Sequence, residues 1–166
     1  MKRKKRTKKF LISSVIILCI LLYIFPVYRL VNILYATDFY SKDQIAKLLY
    51  IGSMSDRNEA ENVISLANKA FSDINHTVAE NEEKYGLLAR YATNDSHGDV
   101  AHTSYTLDLL SAHFDDNEGW IWVNYTSESI YHDGSIACGS YDIYSLWKLE
   151  KNNNGQWVVV DIYEHP

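Results

Sequence analysis

The side chains able to do acid–base chemistry are few and scattered. His102, His113, His132, Asp108, Asp142 and Glu128 are the candidates, with Tyr105 and Tyr125 as phenolic partners. A carboxylate paired with an imidazole or a phenol can act as general base and proton shuttle, and burial gives the carboxylate a suitably raised pKa. No motif gathers these residues. His113 and His132 flank turns, where a half-exposed imidazole is normally solvated. The segment "HFDDNEG" (113–119) is acidic but lacks the alternating spacing of a calcium loop, and neither HExxH nor CxxC occurs. It reads as a charged hairpin turn, so no metal or cofactor is expected. Cys138 lies 119 residues after Cys19, which falls in an apolar run, so no internal disulfide is expected and Cys138 reads as a lone, small, semi-buried thiol. Asn75-His76-Thr77, Asn94-Asp95-Ser96 and Asn124-Tyr125-Thr126 match glycosylation sequons, as chance allows in an Asn-rich chain of bacterial character.

The elements that must position these groups begin with a strong charge asymmetry. Residues 1–9 carry Lys2, Arg3, Lys4, Lys5, Arg6, Lys8 and Lys9 and no acid, whereas all 21 acidic residues lie at or after Asp38 against eight Lys and Arg, a formal −13. An acidic domain repels nucleic acid, so no nucleic-acid partner is expected. Phe10–Tyr28 is a run of 19 uncharged residues, close to the roughly 20 that a helix needs to cross a bilayer. Tyr23 and Tyr28 fall where amphipathic rings favour the interface. A cleaved leader is the competing reading. The run exceeds the usual apolar core of about 7–15 residues and lacks a small-x-small site, which favours an uncleaved anchor. Seven cations before the span keep the N-terminus cytoplasmic. The expected organisation is therefore a basic cytoplasmic tail (1–9), a transmembrane helix (10–28), a connector (29–40) and an extracytoplasmic α+β domain (41–166) at the cell membrane.

Within that domain, S/T/D-x-x-E/Q pairs signal three helix starts: Ser41 with Gln44, Asp56 with Glu59, and Thr77 with Glu80. Helices are expected at about 42–51 (stopping at Gly52), 57–73 and 78–92. The second carries an i, i+3, i+4 stripe of Ala60, Val63, Ile64, Ala67, Ala70, Phe71 and Ile74. After the turn at 93–99 the period changes to two. Ala101, Thr103, Tyr105, Leu107 and Leu109 alternate with polar residues, and strands follow at 120–131, 140–149 and 156–163, separated by short turns. Four such strands form an antiparallel meander. The expected fold is three helices on a strongly curved four-stranded antiparallel sheet wrapped around the second helix. In the last pair, Trp147 and Leu149 share one phase and Val158, Val160 and Ile162 another.

Helices followed by a long-stranded meander that closes on "SLWKLEKNNNGQWVVVDIYEHP" (145–166) resembles the nuclear transport factor 2-like, or cystatin-like cone, superfamily. The resemblance covers about residues 41–166 and is most specific over the Trp147 to Ile162 hairpin. A basic tail, one span and such a domain also resembles the small bitopic assembly proteins of bacterial conjugation and type IV secretion systems. The resemblance implies a cone-type domain whose mouth could hold a ligand, or whose surface serves assembly, since the superfamily hosts enzymes, binding modules and scaffolds. The expected function is noncatalytic: protein–protein assembly by a single-pass membrane protein, with the lipid bilayer and either protein partners or a second copy as its contacts. A membrane-tethered enzyme or small-ligand binder using the cone pocket is the alternative. Tyr105, Trp120, Trp122, Tyr125, Trp147 and Trp157 are the candidate pocket or interface residues, because aromatics are enriched in strands and at interfaces alike.

Overall fold

A computed structural model describes residues 39–74, 77–93 and 99–165. The basic tail, the expected span with Cys19, most of the connector, and the residues 75–76 and 94–98 lie outside the described residues. None of the described helices is long and apolar enough to cross a membrane. The chain separates into two compact units, the second of which begins at Ala46 and holds the sheet.

The architecture is α+β. Helices α1 (Lys42–Leu48), α2 (Met54–Ser72) and α3 (Val78–Tyr85) and a 3-10 turn, η1 (Gly86–Tyr91), precede strands β1 (Val100–Phe114), β2 (Glu118–Tyr131), β3 (Ile136–Lys151) and β4 (Trp157–Glu164). The strands pair in sequence order, all antiparallel, as the turn-separated alternation predicts.

Local signals fix most starts. Ser41 and Gln44 exchange reciprocal bonds (2.8 and 3.3 Å), and so do Thr77 and Glu80 (2.9 and 3.3 Å). The second start differs from expectation. Ser53, not Asp56, caps α2, and Asp56 is the N3 residue that answers it. The spacing from 53 to 56 satisfies the same rule, and Asp56 also accepts from the Phe114 amide at 2.9 Å, which draws the helix start one turn earlier. The first helix stops at Leu48 rather than reaching 51. Gly52 does not serve as a left-handed cap. A Cβ there would sit 2.6 Å from the Ala112 carbonyl oxygen, so the residue is glycine for close backbone approach. The third helix is not continuous. Gly86, at φ 58, ends α3, and the chain tightens into η1.

The core lies between α2, α3 with η1, and one face of the sheet. Ala60, Val63, Ala67, Ala70 and Phe71 of α2 meet Leu88 and Tyr91, then Ala112, Ile121, Val123, Tyr125, Trp147 and Leu149. The α2 stripe is the one its periodicity predicts, except that Ile74 falls past the end of the helix and outside the core. The strands keep their inward phase only through bulges. Leu110 is unpaired between the Leu109–Val123 and Ser111–Trp122 pairs, so the inward set changes from Tyr105, Leu107 and Leu109 to Ala112 and Phe114. Val160 is likewise extra between the Leu149–Val159 and Lys148–Asp161 pairs. Val158, Val160 and Ile162 therefore do not share a face: Trp157, Val159 and Ile162 pack against the core, while Val158 and Val160 are exposed.

Candidate functional site

Two polar clusters are set among aromatic rings, one inside the core and one at the end of the sheet where β1 turns into β2.

The inner cluster is centred on Tyr91. Because Gly86 breaks the helix, η1 turns Tyr91 toward the sheet, where its ring stacks on Phe71 at 4.6 Å and meets Tyr125 edge-on at 5.2 Å. Its hydroxyl accepts from the Trp147 indole N–H at 2.9 Å, donates to Glu164 Oε1 at 2.5 Å and lies 3.3 Å from Ser145 Oγ. Arg90 bridges the other oxygen of Glu164 at 3.1 Å. Burial, then the Glu164 charge, pushes the Tyr91 hydroxyl well above its ordinary pKa. The same two causes push Tyr125 up to about 12. A phenol held protonated is a fixed donor, since a general base works best with a pKa near the operating pH. The space between these groups is filled: Trp147, Phe71 and Leu88 are each at most 1% exposed. The inner cluster ties η1 to β3 and β4.

The outer cluster is built on Asp56. As the N3 residue of α2 it accepts from the Ser53 amide (2.8 Å) and hydroxyl (2.7 Å), and from Phe114 N–H. Burial, the largest single influence, raises its pKa. The bonds from Ser53, the Phe114 amide and the nearby His113 together outweigh that and hold the carboxyl below 3.8. His113 Nδ1 stands 3.6 Å from Asp56 Oδ1 and is buried without a hydrogen-bond partner, although the imidazole as a whole is 42% exposed. Tyr50 closes over it edge-on at 5.2 Å and meets Trp120 at 5.6 Å. The adjoining open recess is lined by Glu59, Asp115 and Asp116, with Lys151 and Trp157 opposite. The Trp157 indole donates to Glu59 at 3.1 Å, and Lys151 stands 4.7 Å over its ring. A carboxylate beside an imidazole at an open recess is the arrangement from which acid–base chemistry could be run.

The remaining expected candidates are not brought together. His102, His132, Asp108 and Asp142 are exposed at separate points of the sheet. Asp142 accepts from Asn124 Nδ2 at 2.9 Å, and Glu128 from the Tyr141 hydroxyl at 2.6 Å. Cys138 is exposed. Among the described residues, no three of His, Cys, Asp or Glu are gathered as a metal ion requires. The six aromatic candidates divide between the faces. Tyr105, Tyr125, Trp147 and Trp157 belong to or pack against the core, whereas Trp122 points to the opposite face of the sheet from Ile121 and Val123, in a row with Ser111, Leu146 and Tyr163, and is buried there, as Ser111 and Leu146 are; Trp120 shares that face. Sequence reasoning passed over Tyr91, Ser145, Glu164 and Asp56. Asp56 carried a visible capping signal that concealed its second role. Tyr91 and Glu164 had no local signal, because a helix break and a bulge set their directions. The chain matches no protein-family model and no curated protein at a significant level.

Proposed function

We propose that this chain is a single-pass membrane protein, N-terminus cytoplasmic, that presents a noncatalytic domain of the cone type outside a bacterial cell for protein–protein assembly. The observation that carries the reading is the filled centre of the inner cluster. Trp147, Phe71, Leu88 and Tyr91 are packed together there, and the tyrosines nearest the interior carboxylate are held protonated. Edge strand β4 offers a surface instead: it exposes Val158, Val160 and Tyr163, and an apolar edge strand is disposed to meet another chain. The uncharged run at 10–28 and the seven preceding cations support the topology. The test is site-directed photocrosslinking from Val160 and Tyr163 of the full chain in membranes. Discrete adducts, to a second copy or to other proteins, are expected. Their absence at both positions, with crosslinking reagent incorporated, would sink the assembly reading.

The Asp56–His113 pair favours a second reading, a membrane-tethered enzyme or small-ligand binder at the outer recess. Following the His113 imidazole resonances during addition of small-molecule mixtures decides it. Saturable shifts that disappear in Asp56→Asn support this reading, and no shift leaves it without a site.

A further inference from the structure

Four large apolar side chains stand exposed within six residues, between α1 and the first turn of α2. Leu49 is 58% exposed, Tyr50 41%, Ile51 92% and Met54 75%. Single exposed apolar residues are ordinary, but a contiguous group on a monomer marks a contact surface. The loop is also held in shape. Gly52 passes so close to the Ala112 carbonyl that no Cβ fits, Ser53 and Asp56 lock the following helix start, and Tyr50 leans on His113 and Trp120. The Ser111 hydroxyl donates to the Lys47 carbonyl at 2.9 Å, fixing the chain just before the loop to β1. Ile51 and Met54 are thus presented outward by a fixed backbone.

We infer that the Leu49–Met54 loop lies in the interfacial layer of the bilayer that carries the chain. This inference rests on the single-pass reading above. Only 20 residues separate Tyr28, the end of the expected span, from Leu49. Seven of them form α1, which advances only about 1.5 Å per residue, and the other thirteen reach at most about 45 Å, so the bilayer surface is within the loop's reach. The chemistry is that of an interfacial contact: aliphatic tips of Leu, Ile and Met, backed by the amphipathic rings of Tyr50 and Trp120, which favour the headgroup boundary. The neighbouring recess carries Glu59, Asp115 and Asp116. Anionic headgroups are therefore not the attraction, and the contact is apolar, with zwitterionic lipid sufficient and salt of little effect.

The experiment reconstitutes the full chain, with Cys19→Ser and Cys138→Ser, into phosphatidylcholine vesicles. An environment-sensitive fluorophore is placed in turn at Ile51→Cys, Met54→Cys and, as control, Tyr141→Cys on β3, a residue that is 56% exposed. A residue lying ~5–10 Å into the headgroup boundary is within reach of a nitroxide on the lipid. Blue-shifted emission and roughly twofold quenching are therefore expected at 51 and 54 at low and high salt, with neither at 141. Water-like emission at 51 and 54, in protein that resists alkaline extraction, overturns the inference and leaves the anchor standing. A blue shift without quenching means that protein covers the loop, and also overturns it. Extraction of the chain by alkali overturns the anchor and the inference together.

Discussion

Tyr91 and His113 are both polar side chains set among aromatic rings, yet their surroundings treat them in opposite ways. Tyr91 is enclosed by elements far apart in sequence, and its hydroxyl has Trp147, Ser145 and Glu164 as partners. His113 sits on a strand end beside a helix start, half in solvent, with one nitrogen facing Asp56 and no bond made by it. In the first cluster the polar groups are satisfied among themselves, and a satisfied buried network fixes one arrangement of the core. The second leaves bonding capacity unused beside an open recess, which is what a site that meets something else requires. The difference separates a group that holds the fold from one that is free to act, although both are tyrosine or histidine against carboxylate.

Substitutions can break this comparison, beginning with the largest effect. Trp147→Ala empties the centre of the inner cluster, and unfolding of the domain by denaturant should show a loss of about 3–5 kcal/mol. Tyr91→Phe keeps the ring and removes the hydroxyl, taking away the acceptor of the Trp147 indole and one donor to Glu164, which keeps Arg90, at a cost of about 1–3 kcal/mol. A loss below the range for an ordinary surface change would mean that the inner network is not satisfied as described. Asp56→Asn weakens the capping box and the Phe114 bond, and about 1–2 kcal/mol is expected.

The pH dependences of the two clusters have opposite signs. Asp56 is held below 3.8 in the fold. Its contribution is therefore complete above the unfolded value and is lost as pH falls through the folded one. Acid unfolding of Asp56→Asn should be correspondingly shallower than that of the parent. Tyr91 and Tyr125 are raised, so their contribution is complete below 10 and declines as pH rises from there through the folded values. Phenolate absorbance during an alkaline titration of the native protein should show these two ionising last, after the exposed tyrosines. Early ionisation of all 13 tyrosines would mean that the inner cluster is open to water. The smallest effect is expected for His113→Gln, about 0.5 kcal/mol or less, as for an ordinary surface substitution. A large loss there would move His113 from the free group to the structural one.

Much of the fold was legible because its signals are local. Thr77 with Glu80 marks a helix start by spacing alone, and the α2 stripe shows in the recurrence of Ala60, Val63, Ala67, Ala70 and Phe71. "DDNEG", "HDGS" and "NNNG" reverse the chain where expected, which sets the meander order. The clusters were less legible. His113 was visible as a candidate, but its partner Asp56 lies 57 residues earlier and was accounted for by a cap. The inward turn of Glu164 depends on the extra residue Val160, and a bulge leaves no mark in a Val-Val-Val run. Tyr91 follows a helix break at Gly86, so a continuous helical phase points it elsewhere.

The amino-acid sequence by itself determined the helical and strand periods, the caps, the antiparallel order and the charge division between the first nine residues and the rest. These are properties of neighbours within about one turn or one hairpin, where spacing is geometry. Only the tertiary structure decided which polar groups are satisfied and which are left open. That depends on contacts across 50 residues or more, such as Tyr91 with Trp147 and Asp56 with the Phe114 amide. One bulge or one positive φ reverses the direction of every side chain after it, so the site is settled by the packing that these irregularities permit.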